Sequence, residues 1–280
     1  MNKYLVIGNP IAHSLSPLLH NYWFKKNRFL DSIYEKKKVE KKDLKKIVEQ
    51  IKNNEIKGVN VTVPFKRDIL NFIDSAPHEV QFTRSVNTLV KENDKVVGYN
   101  TDQEGFKISL EKNNWNFKNK KVFIIGAGGV TPSILSSFIR KDGAEKIYLS
   151  NRTRSKAEEL KKFWDKAPGI NQMKKDTIKI LDWGEKSELC DLIINTTSVG
   201  LAKDEKLNFD FSDYNNKKEA LFYDLIYNPK ETNFLKDARK RGNKTMNGKM
   251  MFLWQAHLAF KKWTGVSPII DEEVIKLLDR

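Results

Sequence analysis

Cysteine is nearly missing from this chain of 280 residues: Cys190 is the only one. A single thiol excludes an intramolecular disulfide and points to a reducing, cytoplasmic home. With no base beside it in the sequence, Cys190 reads as a structural, unreactive thiol. The four histidines fall in no zinc-ligand pattern, so no metal is expected. Long apolar runs are also lacking. None approaches the roughly 18 residues of a membrane-spanning helix, so no membrane partner is expected. The opening MNKYLVIGNPIAHS has too short an apolar segment for a signal peptide and reads as a first strand.

Acidic charge is in deficit, with 36 Asp and Glu against 51 Lys and Arg, a formal net charge of +15. Such a balance suits nucleic acid, membrane surfaces or anionic metabolites. The excess, however, is mostly lysine spread over the whole length. Its runs are broken by acids, as Glu40 and Asp43 break Glu35 to Lys46. No aromatic-basic RNA signature accompanies them, so they read as solvated helix faces, and nucleic acid is not an expected partner. The length implies two domains, and 39% apolar residues with six Trp permit sizeable cores.

The most informative stretch is Lys120 to Ile139. Val122 to Ile125 is a short apolar run of buried-strand type, Gly126-Ala127-Gly128-Gly129 follows, and helical spacing resumes through Ile134, Leu135, Phe138 and Ile139. Strand, glycine turn and helix form the opening unit of a dinucleotide-binding fold. Its glycines let backbone approach a pyrophosphate at the positive end of the helix. Pro132 suits the first helical turn. An ordinary tight turn between strand and helix would carry similar residues, and Thr131 occupies the third small position of the motif.

Lys146 to Ser150 reads as the next strand and ends in Asn151-Arg152-Thr153. A carboxylate there, about 20 residues past the glycine turn, would bond a ribose 2′-hydroxyl. An amide, a guanidinium and a hydroxyl, with Arg154 and Lys156 next, suit a 2′-phosphate instead, so NADP is expected over NAD. Thr153 or Ser155 also has the chemistry to cap the helix through Leu160. Leu192 to Asn195 and Leu221 to Tyr227 read as further strands. The polar loop Thr196 to Gly200 falls where loops line a nucleotide crevice.

Earlier in the chain, Ser16 and Pro17 read as N-cap and first turn of a helix through Lys26, which leaves Ser14 without a role. Val59, Val61 and Val63 alternate with Asn60 and Thr62 as in a strand closed by Pro64. Lys66 then falls at its exit, at the start of a helix and on the wrong end of its dipole; a surface lysine is the competing reading. Ser85 to Val90 and Lys95 to Asn100 read as two strands around Asn93-Asp94, followed by Thr101-Asp102 and a helix from Gly105 to Glu111. The junction between domains falls between Asp102 and Lys120. Gly248 to Trp263 is apolar with helical spacing and encloses Gln255, and Asp271 to Leu278 reads as a last short helix.

In order along the chain stand GNPIAHSLSP, NVTVPFK, SVNT, GYNTD, VFIIGAGG, NRT, INTTSVG, YDLIY and NGKMMFLWQA. Together they resemble the shikimate dehydrogenase family over nearly the whole length. The resemblance implies an α/β chain with a three-layer N-terminal substrate domain, residues 1–105, to which C-terminal helices, residues 249–280, return. Residues 106–248 would form a Rossmann-type NADP domain, with the site in the cleft between the two. The implied activity is reversible, NADPH-dependent reduction of 3-dehydroshikimate to shikimate. The implied partners are that small-molecule substrate and NADP, in a monomer or homodimer.

Carried over position by position, the resemblance gives Ser14 and Ser16 the substrate carboxylate, and Thr62, Asn87 and Gln255 the ring hydroxyls. Tyr227 would complete the substrate pocket, and Lys66 with Asp102 would be the catalytic pair. Gly126, Ala127, Gly128, Gly129 and Val130 would cradle the pyrophosphate. Asn151, Arg152, Thr153 and Lys156 would take the 2′-phosphate, with Leu225 and Gly248 beside the nicotinamide. The residue types fit: hydride reduction of a ketone creates an alkoxide that needs a proton donor in reach. A lysine ammonium supplies it, and an adjacent carboxylate orients the ammonium and holds its proton. Departures from the family pattern are Thr131 for Ala or Gly, Lys249-Met250 for Leu-Gly, and Lys156 for Arg, which put cofactor affinity in question more than activity. The competing functions are a quinate/shikimate dehydrogenase preferring NAD and a non-catalytic Rossmann-like binding protein.

Overall fold

A computed structural model describes residues 1–139, 143–166, 177–215 and 217–279. Its contacts divide the chain into two compact units, Met1–Gly105 with Leu253–Arg280, and Phe106–Phe252. The first contains β1 (Asn2–Gly8), α1 (Ser16–Lys26), β2 (Ser32–Lys38), α2 (Leu44–Lys52), β3 (Gly58–Val61), α3 (His78–Thr83), β4 (Thr88–Glu92) and β5 (Lys95–Tyr99). Helix α4 (Thr101–Glu111) begins in it and ends in the second unit.

The first unit's sheet runs β2-β1-β3-β4-β5. β2, β1 and β3 are parallel, and β4 and β5 form an antiparallel hairpin on β3. The hairpin closes through Asn93 and Asp94, both at positive φ (46° and 63°), the geometry whose twist suits a two-residue turn. Alternation along β1 sends Leu5 and Ile7 to one face, where Leu44, Ile47, Val48 and Ile51 of α2 cover them. Tyr4 points to the other face, with its ring 4.8 Å from Phe24 of α1 and 5.4 Å from Trp263. The expected three layers are therefore present. Trp263 belongs to α8 (Lys249–Thr264), which with α9 (Glu272–Leu277) ends the chain. Its indole N–H donates to the Leu89 carbonyl (3.0 Å). In the same aromatic layer His20 is fully buried and stacked on Tyr34 (4.3 Å). Neither of its ring nitrogens has a hydrogen-bond partner among the described residues, and burial pulls its pKa down to about 3.

The second unit adds β6 (Lys121–Ile125), α5 (Thr131–Phe138), β7 (Lys146–Ser150), α6 (Arg154–Lys166), β8 (Ile178–Leu181), β9 (Leu192–Asn195), β10 (Leu221–Asp224), α7 (Asn233–Lys240) and β11 (Lys244–Asn247). Its six strands are parallel in the order β11-β10-β9-β6-β7-β8. That is the doubly wound dinucleotide order, reversing between β6 and β9. Phe123, Ile125, Ile193 and Phe222 pack with Phe234, Leu235 and Ala238 of α7. On the other side Phe106 of α4 meets Phe138 (5.7 Å) and Tyr223 (5.4 Å).

Local departures from the sequence reading have identifiable causes. Helix α1 starts at Ser16 with Leu15 as N-cap, and the Ser14 hydroxyl accepts the Ser16 N–H (3.3 Å). Ser14 thus takes the capping contact expected of Ser16. β3 ends at Val61, and Phe65 N–H donates to the Thr62 carbonyl (2.9 Å). Lys66 therefore lies in a turn ahead of a short 3-10 segment at Asp68–Asn71, so no helix dipole opposes it. Helix α4 begins four residues before Gly105, because Asn100 Oδ1 accepts the N–H of Asp102 (3.1 Å) and Gln103 (3.3 Å).

Candidate active site

In the first unit the polar residues converge on Asp102. Its Oδ2 accepts Lys66 Nζ at 2.6 Å, its Oδ1 accepts Asn87 Nδ2 at 2.9 Å, and both members of the ion pair are nearly buried, with side chains 12% and 7% exposed. Its place in the first turn of α4 adds the favourable end of a helix dipole. Asn87 is the junction. Its amide nitrogen also lies 2.9 Å from Thr101 Oγ1 and 3.4 Å from Gln255 Oε1, and its Oδ1 accepts the Thr101 N–H (2.8 Å). Loops after β1 and β3 deliver the hydroxyls and the lysine, the turn before β4 delivers Asn87, and α8 delivers Gln255.

A second chain of bonds runs beneath. Tyr34 Oη donates to Asn60 Oδ1 (2.6 Å), and Asn60 Nδ2 donates to the Asn87 carbonyl (3.0 Å) and Thr88 Oγ1 (3.1 Å). Lys66, Asp102, Asn87, Gln255, Asn60 and Tyr34 are thereby joined in one hydrogen-bonded series, while Ser14 and Ser16 share a separate contact at the start of α1. Thr62 stands outside that series, at the exit of β3 with its methyl against Gly8. Sequence reasoning missed Tyr34, Asn60, Asn100 and Thr101. Asn60 and Thr101 lie inside motifs already singled out, but nothing local says that they are buried and paired.

In the second unit, Gly126 has φ +116°, and a Cβ there would strike Thr196. Gly128 and Gly129 have open space where a Cβ would stand. The loop therefore presents bare backbone at the start of α5, a shape and polarity that fit a pyrophosphate. Asn151 Oδ1 accepts the Ala127 N–H (2.9 Å) and its Nδ2 donates to the Thr153 carbonyl (2.8 Å), which ties the glycine loop to the exit of β7. Arg154 is held by Glu158 (2.7 Å) and Asp182 (2.6 Å). Arg152 and Lys156 are exposed and make no ion pair among the described residues, so these two cations remain for an anion. Gly248 N–H donates to the Ile226 carbonyl (3.1 Å), and any side chain at Gly248 would collide with the Leu225 carbonyl. Tyr227 stacks on Phe252 (4.6 Å, 26°).

Behind these loops Asp224 is fully buried, accepting Thr232 Oγ1 (2.6 Å), the Ile226 N–H (3.0 Å) and Asn195 Nδ2 (3.1 Å). Burial pushes its pKa up to about 6 against the pull of those donors. Cys190 is buried, bonds the Glu188 carbonyl (3.3 Å), and has its pKa raised to about 11, as suits an inert thiol. Among the described residues no helix is long and apolar enough to cross a membrane, and no cluster of three or more His, Cys, Asp or Glu could hold a metal.

A doubly wound parallel sheet with a bare glycine loop in one unit and a lysine–carboxylate pair in the other define the class as an α/β oxidoreductase of dinucleotide-dependent type. Residues 6–89 match the family model for the shikimate dehydrogenase substrate binding domain, and residues 108–233 that for shikimate / quinate 5-dehydrogenase. A shikimate dehydrogenase (NADP+) from Pelagibacter ubique is 48% identical over 99% of this chain and 98% of its own. A crystal structure of a shikimate dehydrogenase in complex with NADP+ has a TM-score of 0.87 at 34% identity, covering 100% of this chain and 93% of the other. A shikimate 5-dehydrogenase from Listeria monocytogenes, solved with shikimate and NAD, has a TM-score of 0.84 at 28% identity, covering 99% and 95%. The chain belongs to the shikimate dehydrogenase family.

Proposed function

We propose that this protein catalyses the reversible, NADPH-dependent reduction of 3-dehydroshikimate to shikimate in chorismate and aromatic amino acid biosynthesis, with Lys66 and Asp102 as its proton-transfer pair. The observation that carries the reading is the 2.6 Å Lys66–Asp102 contact, nearly buried and backed by Asn87. NADPH, when bound, supplies the hydride. Lys66, as ammonium, hydrogen-bonds the substrate carbonyl oxygen, offsets the negative charge that grows there and donates a proton to it. Asp102 stays a carboxylate, orients the ammonium and balances its charge. In the oxidative direction the Lys66 amine accepts the hydroxyl proton.

The substrate's polar groups need fixed partners, because each unpaired one in a dry site is costly. Ser14 and Ser16 take the carboxylate, while Thr62, Asn87 and Gln255 take the ring hydroxyls, with Tyr227 completing the pocket. On this reading Met1–Gly105 with Leu253–Arg280 is the substrate unit and Phe106–Phe252 the cofactor unit. Gly126 to Val130 face the pyrophosphate, and Leu225 and Gly248 lie beside the nicotinamide. Arg152 and Lys156 meet the 2′-phosphate beside Thr153 and Asn151. The single buried thiol fits a cytoplasmic home, and we place the protein there as a monomer or homodimer. Following NADPH oxidation with 3-dehydroshikimate, beside 3-dehydroquinate and with NADH in place of NADPH, tests the reading. Turnover confined to NADPH and 3-dehydroshikimate is expected, and equal rates with 3-dehydroquinate or NADH would overturn the assigned specificity.

A further inference from the structure

Thr131 stands at the third small position of the glycine motif, where a side chain is expected to loosen the packing of helix and cofactor. In the structure it is fully buried. Its hydroxyl lies 2.9 Å from Thr196 Oγ1 and 3.2 Å from the Gly126 carbonyl. Thr196 Oγ1 in turn donates to the Ile125 carbonyl (3.0 Å), as does its own backbone N–H (2.8 Å). Each hydroxyl has one proton. With the Thr196 proton on Ile125, the Thr131 proton is directed at Thr196 Oγ1 and shared with the Gly126 carbonyl. The two threonines thus bridge the loops that follow β6 and β9, the two strands flanking the point where strand order reverses.

The Gly126–Ala127 peptide is the part so fixed. Its carbonyl oxygen is held by Thr131 on one side, and its N–H donates to Asn151 Oδ1 on the other (2.9 Å). A peptide plane gripped at both ends cannot rotate without breaking one bond. That plane directly precedes the bare backbone of Gly128 and Gly129, and through Asn151 it reaches the Arg152 loop. We propose that the Thr131 hydroxyl is a positioning device for the dinucleotide: with Thr196 it locks the Gly126–Ala127 peptide and so sets both the pyrophosphate cradle and the reach of the 2′-phosphate loop. This rests on the assignment of the Gly126 loop to NADP.

The test is Thr131→Val, which keeps the shape and removes the hydroxyl, beside Thr131→Ser, which restores it, and Thr196→Val, which removes the partner. Steady-state KM for NADPH and for 3-dehydroshikimate are measured separately, with NADP+ binding by calorimetry and Tm on the same samples. Loss of one such bond corresponds to about three- to tenfold in affinity. Thr131→Val is expected to raise KM for NADPH and Kd for NADP+ by that factor, with kcat and the KM for 3-dehydroshikimate unchanged. Thr131→Ser should stay near wild type and Thr196→Val should fall between. Unchanged NADP+ affinity in Thr131→Val, or an equal loss in Thr131→Ser, would overturn the positioning role. So would a lowered Tm with KM for NADPH unmoved, which marks packing alone. If Thr131→Val does not fold, Thr196→Val with wild-type NADP+ affinity overturns it as well. A wild-type protein that binds no NADP+ defeats the cofactor assignment itself, a result separable from all of these.

Discussion

The two units prepare their polar groups in opposite ways. In the first, the residues assigned to chemistry are already bonded to one another: Lys66 to Asp102, Asp102 to Asn87, Asn87 to Gln255. In the second, the cations assigned to the cofactor, Arg152 and Lys156, make no ion pair among the described residues, while the loops that carry them and the glycines are braced by Ala127–Asn151, Thr131–Thr196 and Asp224–Thr232. A proton donor must have its charge state and direction settled before substrate arrives, whereas cations that meet a phosphate must keep their charge available. Pre-pairing suits the former and would defeat the latter.

The largest effect that tests this contrast is expected at Lys66. Lys66→Ala should lower kcat by about 10²- to 10⁴-fold while leaving the Kd for NADP+ unchanged, and wild-type turnover in that variant would sink the proposed mechanism. Next comes the open cation of the second unit. Arg152→Gln should raise KM for NADPH by about ten- to a hundredfold, with rates on NADH unaltered. Arg154→Gln, whose guanidinium is already held by Glu158 and Asp182, should do little. Equal losses in the two variants would erase the distinction between committed and open charge.

Buried titratable groups distinguish the units more quietly. His20 titrates near 3 in the fold, below its ordinary 6.5, so its contribution is fully present above pH 6.5 and is lost as pH falls below that. Relative to His20→Phe, the wild type should lose about 2 kcal/mol between pH 6.5 and 5. Asp224 titrates near 6, above its ordinary value of 3.8. Its contribution is therefore present at pH 4 and is lost as pH rises through 6. Urea unfolding of wild type against Asp224→Asn across pH 4 to 7 should show that opposite slope. Parallel slopes for the two pairs would contradict the assignment of a buried neutral imidazole to one unit and a buried, proton-retaining carboxyl to the other. The smallest effect is expected from Tyr34→Phe, which removes the donor to Asn60 Oδ1. It should change KM for 3-dehydroshikimate a few-fold and stability by about 1 kcal/mol, leaving NADPH affinity intact.

Much of this was legible in the chain. The Val122–Ile125 strand, the glycine turn and the helix behind it were written in periodicity and composition, and so was the hairpin at Asn93-Asp94. β11 was not, because Lys244–Asn247 is a short polar edge strand without alternation, and neither was α3, whose six residues are too few to show a helical period. The early start of α4 was legible in principle, because its cap, Asn100, stands directly before it and accepts the N–H of Asp102 and Gln103, but the apolar spacing resumes only at Phe106. Lys66 and Asp102 could be named through resemblance, but Tyr34 and Asn60, 26 residues apart, required the fold. Thr131 looked like a defect until its partner 65 residues downstream was in view.

The order in which the units are completed has a consequence for synthesis. All of Phe106–Phe252 leaves the ribosome before Leu253–Arg280, which belongs with Met1–Gly105. The second unit can therefore fold as a unit while the first still lacks the helix that brings Gln255 to Asn87 and Trp263 to Leu89. A nascent chain stalled or clipped ahead of α8 would retain the glycine loop and Arg152 yet lack Gln255, one of the residues proposed for the substrate. On the proposed assignment, translation thus completes the cofactor unit first and the substrate unit last.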